Sequence, residues 1–168
     1  MFWIAQSLGF LALLLVVLLY QYNERTRMQY FKMAAGFLFA AHFALLGAWT
    51  GSLMNFSIVL RSYIFKKRTE NAWADHHGWL FLFLGILIMA SLFTWEGYRS
   101  LLPLLGTGTV TVGFWMKNTK HIRLLTAIAS PCWLIYGFLV HSYAGIATEI
   151  LSLASVGVGI YRFDRKKS

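Results

Sequence analysis

The chain has 168 residues, of which 58% are hydrophobic and only 12% charged, and its formal net charge is +9. A soluble domain has about 25% charged residues, and a small globule with half that number cannot cover its surface with charge. The composition therefore argues against a soluble enzyme and a disordered chain. A single cysteine, Cys132, excludes an intramolecular disulfide.

Seven segments have the composition of membrane-spanning helices, which need about 20 mostly apolar residues each. We expect the first to be a retained span and not a cleaved signal, because no basic segment precedes it. Residues 106–113, GTGTVTVG, alternate like a strand, but an open strand cannot cross lipid, so we predict a helix there. The predicted spans are Phe2–Tyr20, Tyr30–Trp49, Gly51–Phe65, Trp79–Trp95, Leu101–Met116, Leu124–Val140 and Tyr143–Arg162.

The basic residues give the orientation of these spans. Of 15 Lys and Arg residues, 13 fall on one side of the alternating topology, which the positive-inside rule makes cytoplasmic. We therefore predict an outer N-terminus and a cytoplasmic C-terminus. Arg99 lies on the other side, and Arg61, within the third span, is expected to reach the cytoplasmic interface. The 13 residues are Arg25, Arg27, Lys32, Lys66, Lys67, Arg68, Lys117, Lys120, Arg123, Arg162, Arg165, Lys166 and Lys167.

Five tryptophans lie at predicted span ends, where we expect them to anchor the helices in the headgroup layer. Trp133 differs, because it lies well inside the sixth span. The five are Trp3, Trp49, Trp79, Trp95 and Trp115.

Spans one to three and spans five to seven share one layout: a basic connection, then a tight uncharged one, then a basic exit. We predict an all-α membrane protein of seven helices, with two parallel three-helix repeats joined by an inverting fourth helix. The predicted units are residues 1–68, 69–97 and 98–168. Transporters with such repeats bind solutes between them near mid-membrane. An offset of 94 residues pairs Gly51 with Gly145, Phe39 with Trp133, His42 with Tyr136 and Asn55 with Glu149.

Several short motifs carry a family resemblance across almost the whole chain. They are AQSLGF (5–10), AAHFALLGAWTG (40–51), LLPLLGT (101–107), PCWLIYGF (131–138) and IYRFDRKK (160–167). With these the chain resembles the YgjV-type family of bacterial inner-membrane proteins, which implies the cytoplasmic membrane of a bacterium. More distantly it is similar to SWEET and SemiSWEET sugar facilitators and Pnu-type vitamin transporters. In the SWEET likeness, Asn55 matches a substrate-contacting Asn, and Glu149 stands in place of its twin.

Glu149 is the one acidic residue within a predicted span, and such a carboxylate faces a bundle interior or a water-filled cavity. The alternative is a protonated Glu149 hydrogen-bonded inside the bundle. Trp133 is a candidate to stack against the ring of a solute, or else an aromatic residue that only packs in the core. His42 and Tyr136 are candidates for polar residues that line the site, or else core residues. The predicted solute site comprises Asn55, Glu149, Trp133, Phe39, Tyr136 and His42.

The functional hypothesis is a transporter or facilitator of a small polar metabolite of the sugar, nucleoside or vitamin class. The alternative is a non-transporting accessory or structural membrane protein. We expect no enzymatic activity, cofactor, metal or nucleic-acid partner. We expect anionic lipid headgroups to contact the cytoplasmic basic clusters, in a monomer or a homo-oligomer.

Overall fold

The computed structural model describes residues 1–68 and 70–164, so Arg165, Lys166 and Lys167 of the predicted basic tail lie outside the described residues. Within these ranges the fold is all-α, with the seven helices that the sequence predicts. Short 3-10 helices at Ala72–Asp75 and Gly97–Ser100 precede α4 and α5, and a π-helical turn, Ile160–Asp164, follows α7. The helices are α1 (Phe2–Leu19), α2 (Arg25–Leu45), α3 (Trp49–Lys67), α4 (Gly78–Phe93), α5 (Leu101–Trp115), α6 (Thr119–Leu139) and α7 (Tyr143–Gly159).

Three of the helical segments are long and apolar enough to cross a membrane by length and composition: Phe2–Leu19, Thr119–Leu139 and Tyr143–Phe163. The apolar helix α4 is shorter. Residues 106–113 are helical within α5, as predicted, because a helix pairs its backbone groups internally where a lone strand would not.

Helices α2 and α6 begin well before their predicted spans, at the basic end. Helix α2 begins at Arg25 where the span begins at Tyr30, and α6 begins at Thr119 where the span begins at Leu124. An apolar span marks only the part of a helix that needs lipid, and the helix continues through polar residues at the headgroup level. Arg25, Arg27 and Lys32, assigned above to a connection, therefore all belong to α2.

Six helices form a closed ring, and α4 lies outside it. The first triplet, α1–α3, packs α2 between α1 and α3, and the second triplet, α5–α7, packs α6 between α5 and α7. The triplets meet where α3 contacts α5 and where α7 contacts α1, and α4 packs against α3 and α5. The division into 1–68, 69–97 and 98–168 stays a prediction.

The tight connections within the two triplets have the same backbone geometry under the 94-residue offset. Gly47 and His141, which the offset pairs, both have a positive φ, 74° and 52°. One residue further on, Ala48 N donates to Phe43 O and Ser142 N donates to Gly137 O, both at 2.9 Å. Each connection thus reverses the chain through one residue in the left-handed region, followed by the same backbone hydrogen bond.

The junction of α1 and α7 brings two backbones close together. A Cβ atom at Gly9 would lie 2.5 Å from that of Ala144, so the approach requires glycine. At one end, Gln6 accepts from Ala144 N at 3.0 Å and donates to His141 O at 3.3 Å. Toward the other end, Ser155 Oγ donates to Val17 O at 2.9 Å and accepts from Gln21, two residues past α1, at 2.7 Å. Side-chain hydrogen bonds therefore join α1 to α7 at both ends of the junction.

Two residues lie deeper than the sequence predicts. Arg61 does not extend to the interface: it is 1% exposed, and its guanidinium packs over the rings of Phe65 and Phe114. Trp115 ends α5 as expected of an anchor, yet its ring is buried beneath the Arg68 guanidinium. Distance along a helix gives the depth of a residue but not the helix face from which it points.

Candidate functional site

A cavity of about 50 Å³ lies inside the ring, and all six ring helices contribute to its wall. None of its lining residues comes from α4. Helices α1 and α2 contribute Val16, Tyr20, Lys32, Phe39 and Phe43; α3 and α5 contribute Asn55, Ile58, Thr107 and Val110; α6 contributes Thr126, Ala129, Ser130 and Trp133; α7 contributes Gly145, Thr148, Glu149 and Ser152.

Several residues of the cavity wall are polar, and some of their side chains have no hydrogen-bond partner in the protein. The buried hydroxyls of Thr107 and Ser152 make no hydrogen bond to any residue that the structure describes, and the Ser130 hydroxyl faces the Glu149 carboxyl group. Glu149 and Lys32 line the same cavity, and no ion pair joins them within the described ranges. Unpaired polar groups in a membrane interior are costly, and a water needs about 10–15 Å³. The cavity therefore has the polarity and the room for several water molecules.

The part of the cavity away from Lys32 is aromatic. Phe39, Phe43 and Trp133 line it, and the rings of Phe43 and Trp133 lie 5.8 Å apart. Trp133 fits because α5 carries Gly106 opposite it: a Cβ there would lie 2.7 Å from Trp133 Cδ1. The cavity thus offers a flat apolar surface beside charged and hydroxyl groups.

Four of the six predicted site residues lie on the cavity wall, two from each triplet: Phe39 and Asn55, and Trp133 and Glu149. The Asn55 amide also donates to Gly51 O at 2.9 Å, so its orientation is fixed by its own helix.

His42 and Tyr136 do not line the cavity. His42 is fully buried between Ala5 O and Ser142 Oγ, both at 2.7 Å. The Tyr136 hydroxyl accepts from Gly51 N at 3.1 Å. Both side chains make structural hydrogen bonds near the tight connections of the two triplets.

Sequence reasoning missed Lys32 on the cavity wall, as well as the hydroxyls of Thr107, Ser130, Thr148 and Ser152. Lys32 was grouped with the cytoplasmic cluster, although it lies seven residues before Phe39 on the same face of α2. Helical spacing from Phe39 was the signal that could have found it. Serines and threonines in apolar helices give no comparable signal, because they also bond to their own backbone.

Within the described ranges, no three His, Cys, Asp or Glu side chains come together in a way that could hold a metal ion. The cavity contains one carboxylate and no histidine.

Apolar helices bundled around a polar interior are typical of a multi-helix membrane protein, and this is the class to which the chain belongs. The chain belongs to the Imp-YgjV family, described as "Bacterial inner membrane protein", which matches residues 3–167. It is 24% identical over 164 residues to Inner membrane protein YgjV of Escherichia coli (strain K12), a match that covers 98% of this chain and 86% of that protein. No solved structure matches it.

Proposed function

We propose that this protein transports a small polar solute across the bacterial inner membrane, through the cavity between the two triplets. The observation that carries the proposal is the cavity wall, where Lys32, Asn55 and Glu149 lie beside unpaired hydroxyls inside apolar helices. Ionisable groups within a membrane are expensive and mark solute or ion pathways.

The internal repeat supports the same proposal. The triplets have matching helix contacts and matching backbone hydrogen bonds in their tight connections. Each triplet supplies one polar and one aromatic residue at paired positions, Asn55 and Glu149 and then Phe39 and Trp133. Transporters built from parallel repeats, as in the SWEET-like arrangement, bind solute at such an interface.

An accessory protein that only contacts lipids or proteins would need none of this polarity. Packed apolar side chains would fill the same space at lower cost in free energy.

The cavity as it stands is small for a solute: ligand pockets are about 300–1,000 Å³, against about 50 Å³ here. Solute entry therefore requires the triplets to separate.

Uptake into proteoliposomes tests the proposal. Purified protein is reconstituted and challenged separately with radiolabelled glucose, uridine, thiamine and lactate. We expect one of them to enter faster than into protein-free liposomes, and Asn55→Ala and Glu149→Gln to lower that rate at least tenfold. Asn71→Ala and Glu96→Gln, matched changes outside the cavity, should keep it. Equal entry with and without protein would contradict transport, and unaffected uptake by the cavity variants would contradict the site.

The proposed orientation has a separate test by cysteine labelling in intact cells. In a Cys132→Ser background, Tyr98→Cys lies on the predicted outer side and Lys120→Cys on the predicted cytoplasmic side. A membrane-impermeant maleimide should label the first in intact cells and the second only after lysis. The reverse pattern would invert the topology.

A further inference from the structure

Beneath the cavity, where α2 packs against α3, several buried polar side chains lack partners. Gln29, Arg61 and Ser62 are each 1% exposed. Both polar atoms of the Gln29 amide, the Ser62 hydroxyl and two Arg61 nitrogens make no hydrogen bond to the described part of the chain. This is an unusual concentration of unmet hydrogen-bonding groups inside one protein.

The antiparallel contact between α2 and α3 brings these groups to one level. Gly36 packs against Asn55 and Ile58, and one end of the contact is marked by Lys66 Nζ, which donates to Tyr30 Oη at 2.7 Å. Lys32 on α2 and Arg61 and Ser62 on α3 lie between these two points, and Gln29 lies one residue beyond Tyr30 on the helix face that it shares with Gly36. Lys32 also lines the cavity, so this level is the cavity's inner end.

Arg61 is connected to the cavity through α5. Its Nη1 donates to Thr111 Oγ1 at 2.6 Å, and that hydroxyl donates to Thr107 O at 2.7 Å. Thr107 lies on the cavity wall. The Nε and Nη2 atoms of Arg61 have no partner among the described residues. Arg61 itself is not a lining residue, and the guanidinium with its two unused donors is joined to the cavity wall through the Thr111 hydroxyl.

The charges at this level do not balance. Lys32 and Arg61 are two cations, while Glu149 is the one carboxylate on the cavity wall. The ion pairs within the described ranges involve Glu24 and Asp75, neither of which reaches Arg61 or Lys32. A buried cation without a counter-ion is strongly unfavourable, and a bound anion would remove that cost.

We propose that Arg61 and Lys32 form an anion-binding site at the inner end of the cavity, and that the solute carries a carboxylate or phosphate group. The planar guanidinium fork matches both groups, and Gln29 and Ser62 lie at the same level as further donors. Because Arg61 is buried within the ring, the anion belongs to a small solute and not to a lipid headgroup. This inference rests on the proposed function and names the chemistry of its solute.

Thermal unfolding of the full chain in neutral detergent tests the site with four probes. Sodium lactate and sodium phosphate supply the two anionic groups, sodium chloride controls for salt, and propane-1,2-diol is lactate with a hydroxymethyl group in place of the carboxylate. We expect lactate or phosphate to raise the unfolding temperature in a saturable manner, because a ligand of the folded state stabilises it. Equal shifts by chloride, or a shift by the diol alone, would overturn the proposal.

Variants assign that effect to the two cations. Arg61→Met and Lys32→Met should each weaken anion binding at least tenfold, and Arg61→Lys should keep part of it. Arg99→Met and Lys120→Met are matched controls on exposed residues and should bind as the parent does. Without anion, Arg61→Met should unfold at or above the parent's temperature, because it removes an uncompensated charge. Unchanged anion binding in both Arg61→Met and Lys32→Met would overturn the site.

Comparison with the uptake assay separates this inference from the proposed function. Uptake of glucose, uridine or thiamine that depends on Asn55 and Glu149, without anion binding, would keep transport and overturn the anion site. Anion binding that depends on Arg61 and Lys32, without uptake of any probe, would keep the site and overturn transport.

Discussion

The Nε2 atom of His42 lies 2.7 Å from the hydroxyl oxygen of Ser142, so α2 of the first triplet is bonded to the residue that precedes α7. Because Ala5 O can only accept, Nδ1 carries the proton and Nε2 accepts from Ser142. Tyr136, the residue paired with His42 by the offset, accepts from Gly51 in the first turn of α3. Each triplet's middle helix is thus bonded to the start of the other triplet's third helix. These two cross-triplet hydrogen bonds must break if the triplets separate at this end of the bundle.

Replacing Tyr136 by Phe removes one of the cross-triplet hydrogen bonds and leaves the Gly51 amide without this partner. We expect the free energy of unfolding to fall by about 1 kcal/mol, the usual cost of one such bond. Unfolding in a graded series of denaturing detergent measures it. Tyr143→Phe, on an exposed ring, is the matched control and should leave the free energy unchanged. Equal stability of both variants and the parent would show that this bond contributes nothing.

Two threonines on the cavity wall differ in whether their hydroxyls have protein partners. Thr126 accepts from the buried Tyr20 hydroxyl at 3.2 Å and donates to Ile122 O at 2.8 Å. Thr126→Val should cost about 1–2 kcal/mol, because it leaves the Tyr20 hydroxyl unpaired. Thr107→Val should change the free energy of unfolding by less than about 0.5 kcal/mol, because its hydroxyl has no partner within the described ranges. The same unfolding assay compares them, and a larger loss for Thr107→Val would contradict a hydrated, solute-facing role.

Two glycines on α5 provide a matched pair for the position of Trp133. An added Cβ at Gly106 would lie 2.7 Å from Trp133 Cδ1, whereas at Gly108 the nearest atom, Leu84 Cδ2, is 4.0 Å away. Gly106→Ala should destabilise the protein by about 1–3 kcal/mol by forcing the ring to move. Gly108→Ala should be neutral or slightly stabilising, since alanine favours helix. Tryptophan fluorescence should shift in the first variant and not in the second, and identical spectra would contradict the contact.

The connection between α3 and α4 is held to the end of α5 by Asp75. Arg68 Nε donates to Asp75 at 2.6 Å and Lys117 Nζ at 3.3 Å, and these bonds hold the pKa of the Asp75 carboxyl below its ordinary value of 3.8. A carboxyl group whose pKa is lowered by folding stabilises the fold at pH values above its ordinary pKa. That stabilisation is lost as the pH falls through the lowered pKa of the folded state. The parent should therefore unfold at a higher temperature than Asp75→Asn at pH 7.

The difference between the parent and Asp75→Asn should be constant from pH 7 to about pH 5 and shrink below pH 3.8. Thermal scans of both proteins at several pH values measure it. Glu70→Gln, a neutralised carboxyl in the same connection, is the control. A difference that grows on acidification would contradict the assigned sign.

The helices and the placement of four of the six predicted site residues on the cavity wall followed from periodic features of the sequence. Apolar length and alternating basic connections located all seven helices, and the offset brought Asn55, Glu149, Phe39 and Trp133 to one cavity. The 94-residue offset pairs Asn55 with Glu149 and Phe39 with Trp133, so each position was predicted from both triplets.

The remaining features depend on helix rotation and on contacts distant in sequence. Arg61 was expected at the interface because the sequence gives its depth, but its partner Thr111 lies on another helix. Trp115 was expected among headgroups, but the α3–α4 connection folds over it and places Arg68 on its ring. Nothing local in the sequence encodes either contact.

The two places where the triplets meet differ in what would have to break for them to part. At the α3–α5 junction the chain is continuous through α4, which packs on both helices. At the α1–α7 junction no helix of the described ranges packs over both partners, and polar side chains such as Gln6 and Ser155 connect the two. Hydrogen bonds exchange partners quickly, whereas a packed helix does not leave its groove without exposing its neighbours. If the triplets move apart, they would therefore separate at the α1–α7 junction around Gln6, and the hinge would lie where α4 packs against α3 and α5.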